Sequence, residues 1–596
     1  MTRDLLDAGS GRRRGIMGRL VRDAVFLAGV ALLIFVLYAT FKPPRGAGVV
    51  MPVGARRLPV YALFSFMRML AAYVFALVFS LVYGYLAATR QRLQRVMLPL
   101  LDVMQSVPVL GFFPAAVYFF VSLFRGSRLG IEAASVFLIF TSQVWNMTFG
   151  VYESLTTIPA DLLMASRAYG LDGPLRLRTL ILPACVTKLV YNSMLSWAGG
   201  WYFLIACEII ALGPVNVTLP GLGSFLIGAA ESGDFPMLVW GLTTLVFLIW
   251  LLDYAAWRPL GVYAERFKYE YGGGAPSGRS AIGGFRGWRR WPFNVIGRAL
   301  AVLFYKVMFR VFGFGAGLSR AIASVGGRVA GAGGPGDGHE AAARPARVRI
   351  LQATGLLIAA AVAGRVLYLF WSAIKPPWPP EASSIPLALA ASTLRLAAAY
   401  LISLAWTLPV ALWIGRNEKV YARLMPVFQV VASVPATALF PFIILLIVRT
   451  TGSMGVASVI LVLTGMQWYL LFNLVGAVRA IPVDLLSAAR AYGITGWLYV
   501  RSVLVPALFP SLVTGSITAW GGGWNALIVS EYVVYAGRTF ESFGIGALLD
   551  RATYVTGSLQ MIWLSLAAMV TLVVTSNRLL WRPLYDYAAR RYRIEY

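Results

Sequence analysis

Histidine is all but missing from this 596-residue chain, and cysteine nearly so: there is one histidine, His339, and there are two cysteines, Cys185 and Cys207. A lone histidine in a glycine-rich segment excludes His-dependent nucleophilic catalysis and the common zinc sites. On one helix the two cysteines, 22 positions apart, are separated by about 33 Å, beyond the reach of a disulfide. Metal-ligand clusters are absent from the sequence. Charge is sparse too. Asp, Glu, Lys and Arg make up 13% of the chain and hydrophobic residues 59%, where a soluble domain carries about 25% charged residues. With a mean hydropathy of +0.73, this is the composition of a membrane protein with many spans. Acid is scarcer than base, 24 against 52, for a net charge of +28. The basic residues cluster in loops between apolar runs, so positive-inside bias and an anionic leaflet account for them better than nucleic acid does. No Walker A pattern (GxxxxGK followed by Ser or Thr) occurs, so the chain does not bind ATP by that route.

What is there occurs twice. Ile158–Gly173 reads IPADLLMASRAYGLDG and Ile481–Gly496 reads IPVDLLSAARAYGITG, with eleven of sixteen positions identical at a separation of 323. A repeat of this size makes the protein two versions of one unit. Each copy is a polar island between apolar runs. Pro159 and Pro482 suit a first helical turn, Asp161 and Asp484 its positive dipole end, and Gly170 and Gly493 a left-handed stop. The spacing predicts a helix of roughly ten residues, too short to cross a bilayer core of about 30 Å. A bare connector would do as much. Duplication down to the small residues Ala165, Ala168, Ala488 and Ala491 favours a docking surface.

The islands resemble the EAA loop of bacterial ABC-importer permeases: two small residues, a glycine four positions on, nine residues, then an apolar-x-Leu-Pro ending. Here these are Ala165, Ser166, Gly170, Leu180, Leu182 and Pro183, and again Ala488, Ala489, Gly493, Val503, Val505 and Pro506. Met164 and Ser487 stand where the family has its glutamate. Across most of each half the chain resembles the nitrate/sulfonate/taurine/bicarbonate group, as a fused tandem. The resemblance implies that Ala165, Ser166, Arg167, Gly170, Pro183, Ala488, Ala489, Arg490, Gly493 and Pro506 couple to two cytoplasmic ABC ATPase subunits, which use ATP and Mg while this chain binds no cofactor. It also implies an extracytoplasmic solute-binding protein, since no soluble domain large enough to capture solute is evident.

The expected fold is all-α, with two six-helix type I importer units related by a pseudo-two-fold along the membrane normal. The first unit, 1–271, has spans at roughly 24–41, 60–88, 98–124, 131–152, 184–212 and 235–256, with its coupling helix at about 159–170. A Gly/Arg-rich linker, 272–346, holds a basic amphipathic stretch, Val295–Phe314, expected on the membrane surface. Gly331–Gly336 matches GxGxxG only by chance, with Pro335 inside it and no strand before it. The second unit, 347–596, has spans at roughly 348–371, 386–414, 425–448, 455–477, 505–536 and 557–577, with its coupling helix at about 482–493. Landmarks recur: Ser106–Pro108 as Ser433–Pro435, Arg68 and Tyr73 as Arg395 and Tyr400, and Trp257–Leu260 as Trp581–Leu584. Loop arginines place both termini in the cytoplasm and the chain in the inner membrane, in contact with lipid.

The fifth span of each half is the candidate pathway or outer gate. It carries Trp197, Gly199, Gly200, Trp201 and Glu208, matched by Trp520, Gly522, Gly523, Trp524 and Glu531. Glycines permit close helix approach, as plain packing also would. The two glutamates, near the outer edge, suggest a shared structural or gating role. Positions where the halves differ are candidate solute contacts: Asn192, Tyr202 and Asn525. Lys188 reads as a headgroup contact, and Arg68 and Arg395 as snorkelling side chains. The expected function is ATP-driven import of a small solute, an anion such as sulfonate, taurine, nitrate or bicarbonate, by alternating access. The rivals are an ion-coupled secondary transporter, for which midplane acids are not evident, a membrane enzyme, for which catalytic clusters are missing, and a scaffold docking partners through the islands.

Overall fold

The computed structural model describes residues 54–264 and 374–591 apart from a few turn positions, together with scattered positions between them. The first expected span, most of the one at 348–371 and nearly all of the linker, with its glycine-rich run, lie outside the described residues.

The first half runs α1 (Leu58–Thr89), α2 (Gln91–Ser106), α3 (Phe113–Leu123), α4 (Arg128–Thr156), the island helix α5 (Ala160–Ala168), α6 (Leu182–Cys207), a hairpin of β1 (Ile209–Leu212) and β2 (Val215–Thr218), α7 (Leu222–Glu231) and α8 (Phe235–Leu252). The second half repeats the order: α9 (Ile385–Arg416), α10 (Glu418–Ser433), α11 (Ala436–Thr451), α12 (Met454–Arg479), the island helix α13 (Val483–Ala491), α14 (Val505–Ser530), β3 (Tyr532–Tyr535), β4 (Arg538–Glu541), α15 (Ile545–Arg551) and α16 (Leu559–Ser576). Seven described helices are long and apolar enough to cross a membrane.

Three expectations are corrected. The third span of each half is two helices, α2–α3 and α10–α11, broken at the repeated Ser-Val-Pro. A residue before proline is pushed out of the helical region, and Val434 is extended at φ −72°, ψ 120° with Pro435 at −64°, 127°. The fifth spans end at Cys207 and Ser530, short of 212 and 536. The residues beyond form antiparallel hairpins, Ile209 opposite Thr218 and Tyr532 opposite Glu541, as the β-branched and aromatic runs there favour. Within Val295–Phe314, Phe304 and Met308 are buried in the main core, so this part of the stretch rests on protein, which gives its apolar face a drier partner than headgroups.

In each half the first described helix packs on α4 or α12, which packs in turn on α6 or α14. The recurring Trp-Arg-Pro-Leu now has a reason: Trp257 meets Tyr73 edge-on at 5.7 Å and Trp581 meets Tyr400 at 6.3 Å. The halves share one core. Thr437 Oγ1 donates to the Tyr202 carbonyl across the junction at 3.2 Å, and Phe235 meets Phe442 at 5.5 Å.

Candidate gate and docking helices

A buried carboxylate closes the end of α6 and of α14. Ser65 and Arg68 lie three residues apart on α1 and therefore share a face. Glu208 follows the last residue of α6. Its Oε1 accepts from Ser65 Oγ at 2.6 Å and Arg68 Nη1 at 2.8 Å, and its Oε2 from the Gly223 amide at 2.6 Å. Ser65 Oγ itself accepts from the Leu222 amide at 2.8 Å. The second half repeats this contact for contact: Glu531 accepts from Ser392 Oγ at 2.6 Å, Arg395 Nη1 at 2.7 Å and the Gly546 amide at 2.8 Å, and Ser392 Oγ from the Ile545 amide at 2.9 Å. Both glutamates are fully buried. The amides at the start of α7 and α15 point at them, the favourable end of a helix for an anion. Gly221 and Gly544 leave the room, since a Cβ on either would run into the carboxylate. Gly221 and Gly544 are the capping residues that start α7 and α15. With its lone pairs taken by in-chain donors, each carboxylate acts as a latch joining three segments and has no free face for solute.

Arg68 is therefore not a snorkelling residue. Its side chain is 3% exposed, and Nε and Nη2 also form a bidentate bridge to Glu132 at 2.6 and 2.7 Å. Burial of a guanidinium is sustainable only with such pairing. Arg395 is 17% exposed and bonds Glu531 and the Phe543 carbonyl. The counterpart of Glu132 is Gly455, so among the described residues Arg395 has one carboxylate where Arg68 has two. Lys188, 38% exposed, bridges Glu153 at 2.7 Å. The signal missed in the sequence was Ser-x-x-Arg, repeated 327 positions apart and matched by the repeated glutamate.

The islands form nine-residue helices. Pro482 sits just before the first helical residue at φ −58°, ψ 137°, one place earlier than expected. Gly170 and Gly493 adopt φ +62° and +65°, the left-handed stop, and the Leu171 and Ile494 amides return to the carbonyls of Ser166 and Ala489 at 2.8 and 2.9 Å. Ala165 and Ala488 face outward, whereas Ser166 and Ala489 are buried against their own half. Arg490 is exposed. Tyr169 and Tyr492 are each 83% exposed. They escaped the candidate residues, although the identical Ala-Tyr-Gly in both copies marks them. Pro183 and Pro506 stand in the first turns of α6 and α14. Ahead of each the helix widens to a π turn, with the Leu182 amide reaching back to the Leu177 carbonyl.

Of the fifth-span residues, Trp197, Trp201 and Trp524 are buried, and Trp520 meets Tyr400 and Trp581 edge-on. Gly200 lies on Met69 and Gln143, Gly522 on Tyr469, and Gly523 on Leu396 and Met466, while Gly199 has open space around it. Asn192 packs its amide on Gly150. In the second half the pair is exchanged: Asn473 packs on Gly515. The Tyr202 hydroxyl is buried with no hydrogen-bond partner. The halves differ at Tyr202, which matches Asn525, and at Tyr469, which matches Asn146. Residues 133–152 of α4, 189–207 of α6, 454–478 of α12 and 505–530 of α14 contain no Asp, Glu, Lys or Arg.

The same duplication appears in comparisons with known proteins. Over 143 residues the chain is 29% identical to the nitrate import permease protein NrtB of Leptolyngbya laminosa, covering 24% of this chain and 50% of that protein. Over 144 residues it is 28% identical to the bicarbonate transport system permease protein CmpB of Synechococcus elongatus, again 24% and 50%. It is 31% identical over 153 residues to the riboflavin transport system permease protein RibX of Chloroflexus aurantiacus, 26% and 53%. The chain spans about half the length of these relatives. The family described as "Binding-protein-dependent transport system inner membrane component" matches residues 80–256 and again 407–593. Together these are more than half of the chain, and each match holds one island and one latch glutamate: this multi-pass membrane protein belongs to that family, as two permease units in tandem.

Proposed function

We propose that the chain is the complete transmembrane pair of an ATP-driven importer, with both termini cytoplasmic. The observation that carries this is the pair of short helices α5 and α13, alike at every position exposed in both except Met164 against Ser487, and each followed through a tight turn, one helical turn and a π turn by the long helix α6 or α14. Two ATPase subunits closing on ATP draw α5 and α13 together. Because α6 and α14 continue from them, that movement turns both helices about the shared outer core and parts the halves beyond Tyr202. A solute-binding protein delivers solute there. The latches hold each half rigid, so opening occurs between halves and not within them.

The proposed solute is a small anion such as nitrate, bicarbonate, sulfonate or taurine, supported by the nitrate and bicarbonate permeases among the relatives. With no charged residue in those stretches of α4, α6, α12 and α14, its charge would be met there by amide and hydroxyl donors such as Asn146, Asn525, Tyr202 and Tyr469. The test is the double variant Ala165→Arg with Ala488→Arg in the full chain. The expected result is loss of co-purifying ATPase activity, with an unchanged elution profile and melting temperature. Unchanged ATPase association would refute the docking role.

A further inference from the structure

Four residues of α6, Tyr191, Leu195, Ala198 and Tyr202, follow one another at helical spacing and share a face. That face turns to the second half, since α10 and α11 both pack on α6. Counted from the island end, Tyr191 and Leu195 are exposed and Ala198 is half-buried. The opening stops at Tyr202. Past it, Phe203, Leu204, Ile205 and Cys207 are buried. The matching stripe of α14 behaves alike: Thr514 and Gly521 are exposed, and beyond Asn525 the residues Ala526, Leu527 and Ile528 are buried. The junction is therefore accessible from the island side and shut at the level of Tyr202 and Asn525.

The two sides shut it differently. Tyr202 packs on the cluster of Ala436, Phe440, Ile444 and Leu461, all of the second half, and its backbone carbonyl accepts from Thr437 Oγ1. Its hydroxyl lies buried there with no partner. The other side repeats neither feature. Asn525 takes the place of Tyr202, and Leu110, which has no hydroxyl, takes that of Thr437. The Asn525 amide donates to the Gly521 carbonyl of its own helix at 3.2 Å. A buried phenol usually finds a hydrogen-bond partner, and one stranded among apolar side chains costs free energy in the state that strands it. Here that state is the closed junction alone, because parting the halves gives the hydroxyl to water or to solute.

From this we infer that Tyr202 is the gate residue of the junction: it plugs the route from one side, and its stranded hydroxyl holds the closed form near to opening. The inference rests on the function proposed above and adds which residue shuts the route and why the shut form yields.

A thiol at Ala436 tests it. Ala436 is buried in the cluster that receives Tyr202. Cys185 and Cys207 are free and buried, so the unmodified chain serves as the labelling blank. The full chain carrying Ala436→Cys, purified in mild detergent with whatever ATPase accompanies it, is labelled with a water-soluble maleimide. Tyr202→Phe keeps the plug and removes the stranded hydroxyl. It should slow labelling by about fivefold or more and raise the melting temperature by about 2–6 °C. Tyr202→Asn, which copies the second half, removes the buried ring and should speed labelling by about tenfold or more. Ser403→Ala removes another hydroxyl that is buried without a partner, on α9. It should raise the melting temperature and leave labelling unchanged, which separates the gate from stability alone. A Tyr202→Phe rate equal to or above the parent's, or a Tyr202→Asn rate equal to or below it, would overturn the inference. Adding ATP tests the importer reading apart from the gate, and labelling of Ala436→Cys should quicken. Labelling that ignores ATP while both Tyr202 variants behave as expected would leave the gate standing and overturn the importer reading.

Discussion

Replacing Arg68 should hurt far more than replacing Arg395, although the two are the same residue of the repeated unit. Arg68→Met removes four hydrogen bonds, two to Glu132, one to Glu208 and one to the Pro220 carbonyl. It leaves Glu208 fully buried with only Ser65 Oγ and the Gly223 amide as donors. Stranding one member of a buried ion pair costs about 3–5 kcal/mol. Arg395→Met breaks one bridge and one carbonyl contact at a partly exposed site, worth about 1.5–3 kcal/mol for a charge-assisted bond. At about 2 °C per kcal/mol for a unit of this size, the melting temperature should fall by about 6–10 °C and about 3–6 °C respectively. The 18 tryptophans report unfolding directly in detergent. Glu132→Ala supplies the internal check, because it gives Arg68 the single carboxylate that Arg395 has. In that background Arg68→Met should cost no more than Arg395→Met does alone. A drop for Arg395→Met as large as for Arg68→Met, or full additivity of Arg68→Met with Glu132→Ala, would refute the argument that the second carboxylate sets the difference.

Two further outcomes follow from close contacts. Gly221→Ala and Gly544→Ala each force a methyl into a glutamate that has no room to move, and overpacking of this kind costs about 1–3 kcal/mol, visible as a lower melting temperature of the full chain; unaltered melting would mean that the latch is looser than its geometry. Gly150→Asn sets an amide against Asn192 and should destabilise by about 1–3 kcal/mol, whereas Gly150→Asn with Asn192→Gly recreates the Asn473–Gly515 arrangement of the second half and should recover at least half of the lost melting temperature.

Much of the architecture was legible because duplication supplied a second reading of every feature. Each island, the order of the elements and the outer position of Glu208 and Glu531 followed from matching the halves and from apolar run length. Reading failed where one amino-acid pattern serves two structures. An apolar run through Ser-Val-Pro has the composition of one span, and only the backbone consequence of proline divides it into α2 and α3. Ile209–Leu212 continues the hydropathy of α6 yet is a strand, because the latch at Glu208 ends the helix and turns the chain. Arg68 looked like a snorkelling residue because its distance from the helix end was readable and its two partners were not: Glu132 and Glu208 lie 64 and 140 positions away. Of the candidate site residues, the tryptophans were recognisable as repeated, but repetition alone does not separate a core residue from a pathway residue.

The pattern of likeness between the halves bears on what fusion gains. Where a unit meets a partner, at the islands, the halves agree. Where a unit braces itself, at the latches, they agree in the three donors that bind each carboxylate. Around the junction they part: Tyr202 matches Asn525, Tyr469 matches Asn146, and Tyr191 matches Thr514. A permease built from two copies of one unit must show every pathway residue twice across its axis. One chain holding both units escapes that restriction. On the proposed pathway the two tyrosines Tyr202 and Tyr469 correspond through the repeat to Asn525 and Asn146, two amides. The two sides of the junction thus offer different chemistry to a solute that is itself unsymmetrical, while the docking surfaces below remain equal. On the proposed function, difference at the junction beside likeness at the islands suits one route for an unsymmetrical solute worked from two docking helices.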